Sequence, residues 1–359
     1  MKRRVVVWGT GNVGRPAIRA VLSHSELELC GVIVSNPEKE GVDAGLLAGL
    51  EPVGVLATRN YEKLLKEQSI DAVVYSANAD MRPPDAIREL TACLEAGVNV
   101  VSTSFYTLLY PAICPEEMTE SINQSCQKGK SSVLVSGMDP GWVMDILPVL
   151  ISGAGAGITE IRCQEIFNYA TYDQPEVVRN IVGFGHSMKD TPMMLIPFAL
   201  QSVWEPMIRL IADELELTVD GIEVVVEREP LSRTLEIDNM GVFEEGTQGA
   251  FRFEVQGYVN GKPLIIMEHI TRIDDECAPQ WSYPSEGQGC HRVLITGNQD
   301  INLSIHAADH HENGPASGGS ATAANRVVNL VPAVCEAKPG LLSVNDVPMV
   351  NGKSQIVID

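Results

Sequence analysis

The stretch RVVVWGTGNVGRPAIRAVLSHS, residues 4–25, decides the fold of the N-terminal half of the chain. Its four consecutive apolar residues predict a buried strand, and the apolar spacing after the glycines predicts a helix. The turn between them reads G-x-G-x-x-G, which leaves the backbone bare enough to approach a pyrophosphate at a helix N-terminus. This context favours a dinucleotide site over an ordinary glycine-rich turn. The residues assigned to the site are Gly9, Thr10, Gly11, Asn12, Val13, Gly14 and Arg15.

Strands and helices alternate through the first 150 residues. Apolar runs predict strands at 27–35, 71–77, 99–104 and 131–137, and helical periods predict helices at 83–97 and 115–129. Because these strands are apolar on both faces, we expect an α/β fold whose N-terminal domain is a Rossmann, doubly wound parallel sheet. Ser76 and Ala77 end one of the strands, where such sheets bind their ligands, and they complete the predicted cofactor site.

The later part of the chain has longer strands with alternating apolar residues, which predict a second α+β domain built on a mainly antiparallel sheet. Asn260-Gly261 predicts a hairpin within it, and one helical segment is expected at 187–215. A glycine- and serine-rich turn is expected at 312–320. The predicted domains are 1–148 for dinucleotide binding and 149–318 for substrate binding and dimerisation, with a C-terminal helix at 320–337 that packs on the first domain.

The choice of dinucleotide depends on the end of the second strand. Many NAD sites place an acid there to bind the ribose 2′-hydroxyl, but this chain has Ser35, Asn36 and, slightly later, Lys39. A hydroxyl and an amide accommodate a 2′-phosphate, which Arg15 and Lys39 could neutralise. NADP(H) is therefore the preferred cofactor and NAD(H) the alternative; in the competing interpretation the two cations are solvated charges beside a turn.

Composition excludes several classes of partner. The formal net charge of −21 opposes binding to nucleic acid or to an anionic membrane surface. The most apolar stretch, residues 193–211, contains two prolines and two charges, so we expect no membrane span, and no targeting segment is expected either. Eight cysteines lie far apart without a C-x-x-C pair, which favours reduced thiols and a cytoplasmic protein.

Four motifs occur in the order WGTGNVGR, STSFYTLLYP, GMDPGWVMD and TAANRVVNLVP, the last followed by PGL at 339–341. Together they resemble the dihydrodipicolinate reductase-like oxidoreductases, and within them the 2,4-diaminopentanoate dehydrogenase and native amine dehydrogenase group. The resemblance implies a homodimer, and the aromatic residues near the expected site favour a small hydrophobic substrate. It also implies NAD(P)-dependent oxidation of an amine carbon, or reductive amination of a ketone.

One feature departs from the family pattern. Amine dehydrogenases of this group carry a glutamate shortly after the fifth strand, where it activates ammonia, and Phe105 and Tyr106 stand near that position here. An aromatic pair shapes an apolar pocket, and a tyrosine can donate a proton to a carbonyl oxygen. Carbonyl or alcohol chemistry therefore stays open beside amine chemistry. A nucleotide-binding sensor or pseudoenzyme without turnover is the third alternative.

Three residues are candidates for proton transfer, in the order Tyr106, Asp139 and His186, with a bound water after them. Tyr106 follows a central strand, although it could instead be an aromatic wall. Asp139 precedes Pro140, a pattern typical of a helix N-cap followed by proline at the first helical position. His186 titrates near neutrality when unperturbed, but a satisfied loop histidine is the competing interpretation.

The candidate substrate-binding residues are aromatic: Phe105, Tyr169 and Tyr172, with the neighbouring Asp173 also expected to face the nicotinamide. His310, His311 and Glu312 are adjacent and suggest a metal clip. Neighbouring side chains on a strand point to opposite faces, however, and no further ligand pattern completes a site. No metal is therefore expected.

Overall fold

A computed structural model describes residues 1–79, 81–172, 174–238, 240–312 and 315–357, without the side chain of Pro315. Asp173 therefore lies outside the described residues. The chain divides into two compact units, of which the first comprises Met1–Gly141 with Ser320–Asp359 and the second Trp142–Gly319. Each unit has its own sheet and its own apolar core.

The N-terminal part of the first unit alternates strand and helix as the apolar pattern predicts. Its strands are β1 (Arg3–Trp8), β2 (Leu27–Ile33), β3 (Ala57–Thr58), β4 (Ala72–Tyr75), β5 (Asn99–Ser102) and β6 (Ser132–Val135). Its helices are α1 (Gly14–Ser23), α2 (Ala44–Leu47), α3 (Tyr61–Glu67), α4 (Pro83–Glu95) and α5 (Glu116–Gly129). Strand β4 and the last four residues of β1 are wholly buried, as expected for strands covered on both faces.

The second unit is built mainly from longer strands. The strands are β7 (Glu160–Asn168), β8 (Gly221–Pro230), β9 (Leu235–Ile237), β10 (Gly241–Phe243), β11 (Gln248–Val259), β12 (Lys262–Arg272), β13 (Gly289–Thr296) and β14 (Ile301–Ile305). The helices are α6 (Ile146–Ser152) and α7 (Pro197–Glu214). The predicted hairpin at Asn260-Gly261 is confirmed, because it joins the antiparallel pair β11 and β12.

The C-terminal segment adds α8 (Pro315–Glu336) and β15 (Gly340–Leu342). Strand β15 pairs in parallel with β6 and completes a seven-stranded parallel sheet in the order β15-β6-β5-β4-β1-β2-β3. The six N-terminal strands thus have the doubly wound order 3-2-1-4-5-6 of a Rossmann sheet. The predicted fold class is confirmed, although the sequence did not reveal the seventh strand.

The sheet of the second unit has the order β14-β13-β7-β12-β11-β8, with β7 and β12 parallel and every other pair antiparallel. Helix α7 packs on one face of this sheet, where Trp204 contacts Phe253 with ring centroids 4.8 Å apart. We call the face that carries Phe253 and its cross-strand neighbours the inner face. A Cβ at Gly257 would lie 2.4 Å from Cγ2 of Ile208, so this glycine allows α7 to approach closely.

Three local predictions are wrong. The helix predicted from 187 begins only at Pro197, after a short 3₁₀ turn at Met193–Leu195. The stretch 312–320 is not a turn, since it is helical from Pro315. A Cβ at Gly318 would lie 2.0 Å from the Ala307 carbonyl oxygen, so this glycine allows close packing of the helix.

The third error concerns the helix predicted to begin at Asp139. Residues 138–145 form turns, and α6 begins at Ile146 with the side chain of Asp145 as its N-cap. Gly141 has φ +117°, a conformation that cannot belong to the first turn of a right-handed helix.

The two longest helices, α7 and α8, contain 18 and 22 residues. Both are interrupted by proline, Pro206 in α7 and Pro332 in α8. Among the described residues, no helix combines the length and the apolar character needed to cross a membrane.

Candidate functional site

The glycine turn of the first unit has two packed glycines and one open glycine. Gly9 has φ +107°, and a Cβ there would lie 2.9 Å from Oγ of Ser76 and 3.0 Å from the Ala77 nitrogen. A Cβ at Gly14 would lie 2.1 Å from the Gly9 carbonyl oxygen, whereas one at Gly11 would meet no atom within 4 Å. The first and third glycines thus build the turn, and the second leaves room for a ligand.

Helix α1 begins directly after this turn. Its N-cap residue, Val13, offers no side chain that could accept a hydrogen bond from the first amides. Uncapped amides at a helix N-terminus are donors for an anion such as a pyrophosphate, and the helix dipole adds to the attraction. The described residues therefore fit the dinucleotide that the sequence predicts.

Two cations lie at the carboxyl ends of β2 and β3, beside the turn. Nζ of Lys39 is 3.1 Å from Oγ1 and 3.2 Å from the carbonyl oxygen of Thr10. Nε of Arg59 donates to the Ser35 carbonyl oxygen at 3.1 Å, while Oδ1 of Asn36 accepts from a backbone amide within its own turn. Sequence reasoning missed Arg59, because it follows a two-residue strand that no periodic pattern announces.

The segment after β5 contributes one buried and one half-buried ring. Phe105 has φ +65°, is 6% exposed, and packs on Tyr75 with ring centroids 5.4 Å apart. Tyr106 begins a single 3₁₀ turn, Tyr106–Leu109, and is half-buried. The Phe105 ring thus belongs to the core of the first unit, while the catalytic role of Tyr106 stays a prediction.

In the second unit the predicted aromatic residues begin a continuous row of rings. Tyr172 stacks on Tyr169 at 4.8 Å, and Tyr169 contacts Phe184 edge-on at 6.4 Å. Phe184 continues to Phe251 at 5.8 Å on the inner face of the sheet. The two tyrosines are half-buried and the two phenylalanines fully buried, so the row leads from the surface of the unit into its core.

The buried end of this row of rings lies next to three ionisable residues on adjacent strands. Glu165 on β7 is in register with His269 on β12 and with His291 on β13. Nδ1 of His269 lies 3.0 Å from Oε2 of Glu165, at an angle outside that of a regular hydrogen bond. A ligand atom of His291 lies within 4.8 Å of a carboxylate oxygen of Glu165. We call these three residues the His-Glu-His row.

The imidazole of His269 is held on several sides. It stacks on Phe251 at 5.4 Å and on Phe253 at 5.1 Å, and Trp204 contacts it edge-on at 6.2 Å. Its Nε2 is hydrogen-bonded to the hydroxyl of Thr271. The ring is therefore fixed with Nδ1 toward the carboxylate.

The predicted histidine His186 lies in a different environment. It is half-buried, and its carbonyl oxygen accepts a hydrogen bond from the Gln248 amide at 2.9 Å. Within the described part of the chain, its imidazole makes no hydrogen bond or ion pair. His310 and His311, which are not expected to bind a metal, are exposed. The inner-face histidines His269 and His291, by contrast, combine burial with a carboxylate on the neighbouring strand.

The opposite face of the same sheet carries carboxylates of another kind. Arg162 lies 2.6 Å from Glu254 and 2.8 Å from Glu268, and Arg252 contacts both acids as well. Burial disfavours the charged form of Glu268, but hydrogen bonds from Arg252 and Gln164 still hold its pKa below the usual value. Ion pairs with the two arginines hold both acids in place, so they are structural groups.

Sequence reasoning missed the His-Glu-His row because its members are 104 and 22 positions apart in the chain, Glu165 to His269 and His269 to His291. The sequence did contain one signal. In each of three strands, a polar residue stands at a position where the alternation calls for an apolar one. Alternation places Glu165 on the same face as Cys163, where apolar residues are expected. Only the register of the sheet shows that the three exceptions are neighbours.

A Rossmann sheet with this glycine turn, joined in one chain to an α+β unit of this kind, defines a dinucleotide-dependent type of oxidoreductase. The sequence profile of the 2,4-diaminopentanoate dehydrogenase C-terminal domain matches residues 142–357, and that of the dihydrodipicolinate reductase N-terminus matches residues 3–107. The chain therefore belongs to the family of 2,4-diaminopentanoate dehydrogenases and amine dehydrogenases.

Individual relatives agree with this membership. The chain is 47% identical over 346 residues to an amine dehydrogenase from Streptomyces virginiae, covering 96% of each protein. It is 21% identical to a 2,4-diaminopentanoate dehydrogenase from Acetoanaerobium sticklandii, over 97% of this chain and 94% of that protein. An amine dehydrogenase structure from Mycobacterium smegmatis has the same fold, with a TM-score of 0.75, 21% identity and 99% coverage of each chain.

Proposed function

We propose that this oxidoreductase is an amine dehydrogenase that prefers NADP(H) and interconverts a small hydrophobic ketone and the corresponding primary amine. The observation that carries the proposal is the 47% identity, over 96% of each protein, to a relative named amine dehydrogenase. The open glycine turn of the first unit supports cofactor binding, and the row of rings in the second unit supports an apolar substrate. When bound, the nicotinamide supplies or accepts the hydride.

Carbonyl reduction is the second candidate, because residues 103–111 contain no carboxylate. The two reactions differ in one reagent. Reductive amination consumes ammonia together with the ketone, whereas carbonyl reduction needs the ketone alone. A sensor without turnover is the remaining alternative.

The first experiment follows NADPH absorbance with a panel of linear and cyclic ketones, each with and without excess ammonium. We expect a rate that requires ammonium, and gas chromatography of the product should identify the amine. A rate indifferent to ammonium, with an alcohol as product, would establish the carbonyl reductase instead. Cofactor binding without turnover across the whole panel would support the sensor.

Cofactor preference provides a separate test. A 2′-phosphate is bound best by charge-assisted hydrogen bonds, and Lys39 and Arg59 are the cations beside β2 and β3. We expect Lys39→Ala and Arg59→Ala each to weaken NADPH binding by about tenfold or more, about 1.4 kcal/mol, while NADH affinity changes less.

Fluorescence titration with both cofactors measures this difference. Arg88→Ala is a matched control, because Arg88 is an exposed arginine of the same unit that pairs with Asp85 on α4. Equal losses for NADPH and NADH would show that the two cations support the turn and do not select the phosphate.

Two further properties stay predictions. The homodimer implied by the family resemblance is tested by size-exclusion chromatography with light scattering. A cytoplasmic location agrees with eight cysteines that are all free in the structure, and a reporter fusion would locate the protein directly.

A further inference from the structure

We infer that Glu165 is the carboxylate that handles the proton in the amine chemistry, and that His269 and His291 are positioning residues for it. The observation is the His-Glu-His row itself, which three adjacent strands bring together in the second unit. The inference rests on the proposed function and assigns a residue to its proton transfer. It also answers the question raised by the segment after β5, which offers rings and hydroxyls but no acid.

The inner face is otherwise unsuited to a charge. Its described positions on β7, β11, β12 and β13 carry apolar, aromatic or small residues, histidine or threonine, and Glu165 is the one carboxylate among them. A carboxylate on such a surface costs folding free energy, so its presence calls for a reason beyond packing. The outer-face acids have that reason in their arginines, and Glu165 has imidazoles as its cross-strand neighbours.

The members of the His-Glu-His row differ in their solvent exposure, and this difference indicates their roles. The side chain of Glu165 is 14% exposed, whereas His269 and His291 are 2% and 3% exposed. A small cation can therefore reach the carboxylate, whereas the two imidazoles are shielded from solvent. Nδ1 of His269 lies 3.0 Å from Oε2 of Glu165, so this imidazole is in direct contact with the acid.

The proposed step conserves protons and electrons. The Glu165 carboxylate takes one proton from ammonium. The ammonia nitrogen then forms a bond to the ketone carbon, the C=O π bond breaks with its electron pair moving to oxygen, and one N–H proton passes to that oxygen. The resulting carbinolamine loses its hydroxyl as water when the protonated Glu165 returns that proton, which leaves an iminium cation. The iminium carbon then receives the hydride and becomes the neutral amine. Overall, ketone, ammonium and hydride give amine and water, with Glu165 regenerated.

The two histidines act through Glu165. Stacking on Phe251 and Phe253 and the hydrogen bond to Thr271 fix the His269 ring, so Nδ1 faces the carboxylate. His291 is held edge-on against Phe167 at 5.4 Å on the other side. The two imidazoles thus border the carboxylate from both neighbouring strands and position it for proton transfer.

The test is Glu165→Gln, assayed with the most active ketone of the panel and ammonium chloride. We expect kcat to fall by about 100-fold or more, the usual contribution of general acid–base catalysis. NADPH affinity and the thermal midpoint should stay close to those of the wild type. Isothermal titration with the product amine supplies a readout apart from turnover, and we expect its affinity to fall by about tenfold.

Glu160→Gln is the matched control, because Glu160 lies on the same strand but on the opposite face, where it pairs with Arg162 at 2.9 Å. It should keep the wild-type rate. Glu165→Ala provides a chemical test, because added formate should restore part of its rate if a carboxylate takes the proton. Formate should not restore the rate of His269→Phe, because this variant loses the positioning imidazole but keeps the acid.

The outcomes separate this inference from the proposed function. Ammonium-dependent turnover in the wild type together with a Glu165→Gln rate within about threefold of it would overturn the role of Glu165 alone. The same holds if formate fails to raise the rate of folded Glu165→Ala. Absence of ammonium-dependent turnover in the wild type would overturn the proposed function itself.

Discussion

At the scale of single residues, the glycines of the turn have two different functions, since some are needed for the fold and one leaves room for the ligand. A Cβ at Gly14 would collide with the Gly9 carbonyl oxygen, whereas a Cβ at Gly11 would meet no atom within 4 Å. We therefore expect Gly11→Ala to keep the thermal midpoint but to weaken cofactor binding by about tenfold or more, about 1.4 kcal/mol, because the methyl group occupies the approach of the pyrophosphate.

Cofactor titration and thermal unfolding of Gly11→Ala measure the two effects separately. Gly221→Ala is the control, since a Cβ at Gly221 would also meet no atom within 4 Å, but this glycine lies at the start of β8 in the second unit. If Gly11→Ala bound NADPH like the wild type, the site would have to lie elsewhere.

At the scale of elements, one buried arginine organises the loop between β12 and β13. The guanidinium of Arg272 is 2% exposed and donates to the carbonyl oxygens of Cys277, Ala278, Trp281 and Ser282, at 2.9 to 3.0 Å. The ring of Tyr283 covers it at 4.3 Å. The chain thus holds this loop in place through the hydrogen bonds of a single side chain.

We expect Arg272→Met to lower the free energy of unfolding by about 3 kcal/mol or more, because it leaves several buried carbonyl oxygens without a donor. Urea unfolding measures the change. Arg233→Met is the comparison, since Arg233 is exposed and reaches Asp274 of the same loop at 3.3 Å, and a surface pair contributes about 1 kcal/mol at most. Similar losses in both variants would contradict the anchoring role of Arg272.

At the scale of the whole molecule, the cysteines are buried or half-buried in both units. All eight are free. Burial raises the pKa of the Cys30, Cys126, Cys277 and Cys335 thiols to about 11 and that of Cys93 to about 12. A thiol with its pKa about three units above the solution pH is about one thousandth thiolate, and the thiolate is the reactive form.

We therefore expect a disulfide reagent at pH 8 to modify few thiols in the native protein and all eight after unfolding in urea. Reduced and unreduced samples should give the same total, because no disulfide is present. A total below eight in unreduced, unfolded protein would contradict this. Rapid reaction of the native thiols would show that the cores open more readily than their packing indicates.

The sequence by itself determined the elements whose signals are local. Apolar runs with helical periods between them predicted β1, β2, β4, β5 and β6, and the glycine spacing predicted the turn before α1, because both patterns follow from the geometry of consecutive residues. The hairpin at Asn260-Gly261 is another local signal. Even so, Gly318 was misjudged, since the Ala307 carbonyl oxygen that requires a small residue there is distant in the sequence.

The tertiary structure alone decided which distant residues are neighbours. Glu165, His269 and His291 meet because β7 pairs in parallel with β12 and antiparallel with β13, and a shift of one residue in either register would send a partner to the other face. Arg59 reaches Ser35 in the same way, through the parallel pairing of β2 and β3. Strand register is fixed by the packing of the whole core, so no local pattern can supply it.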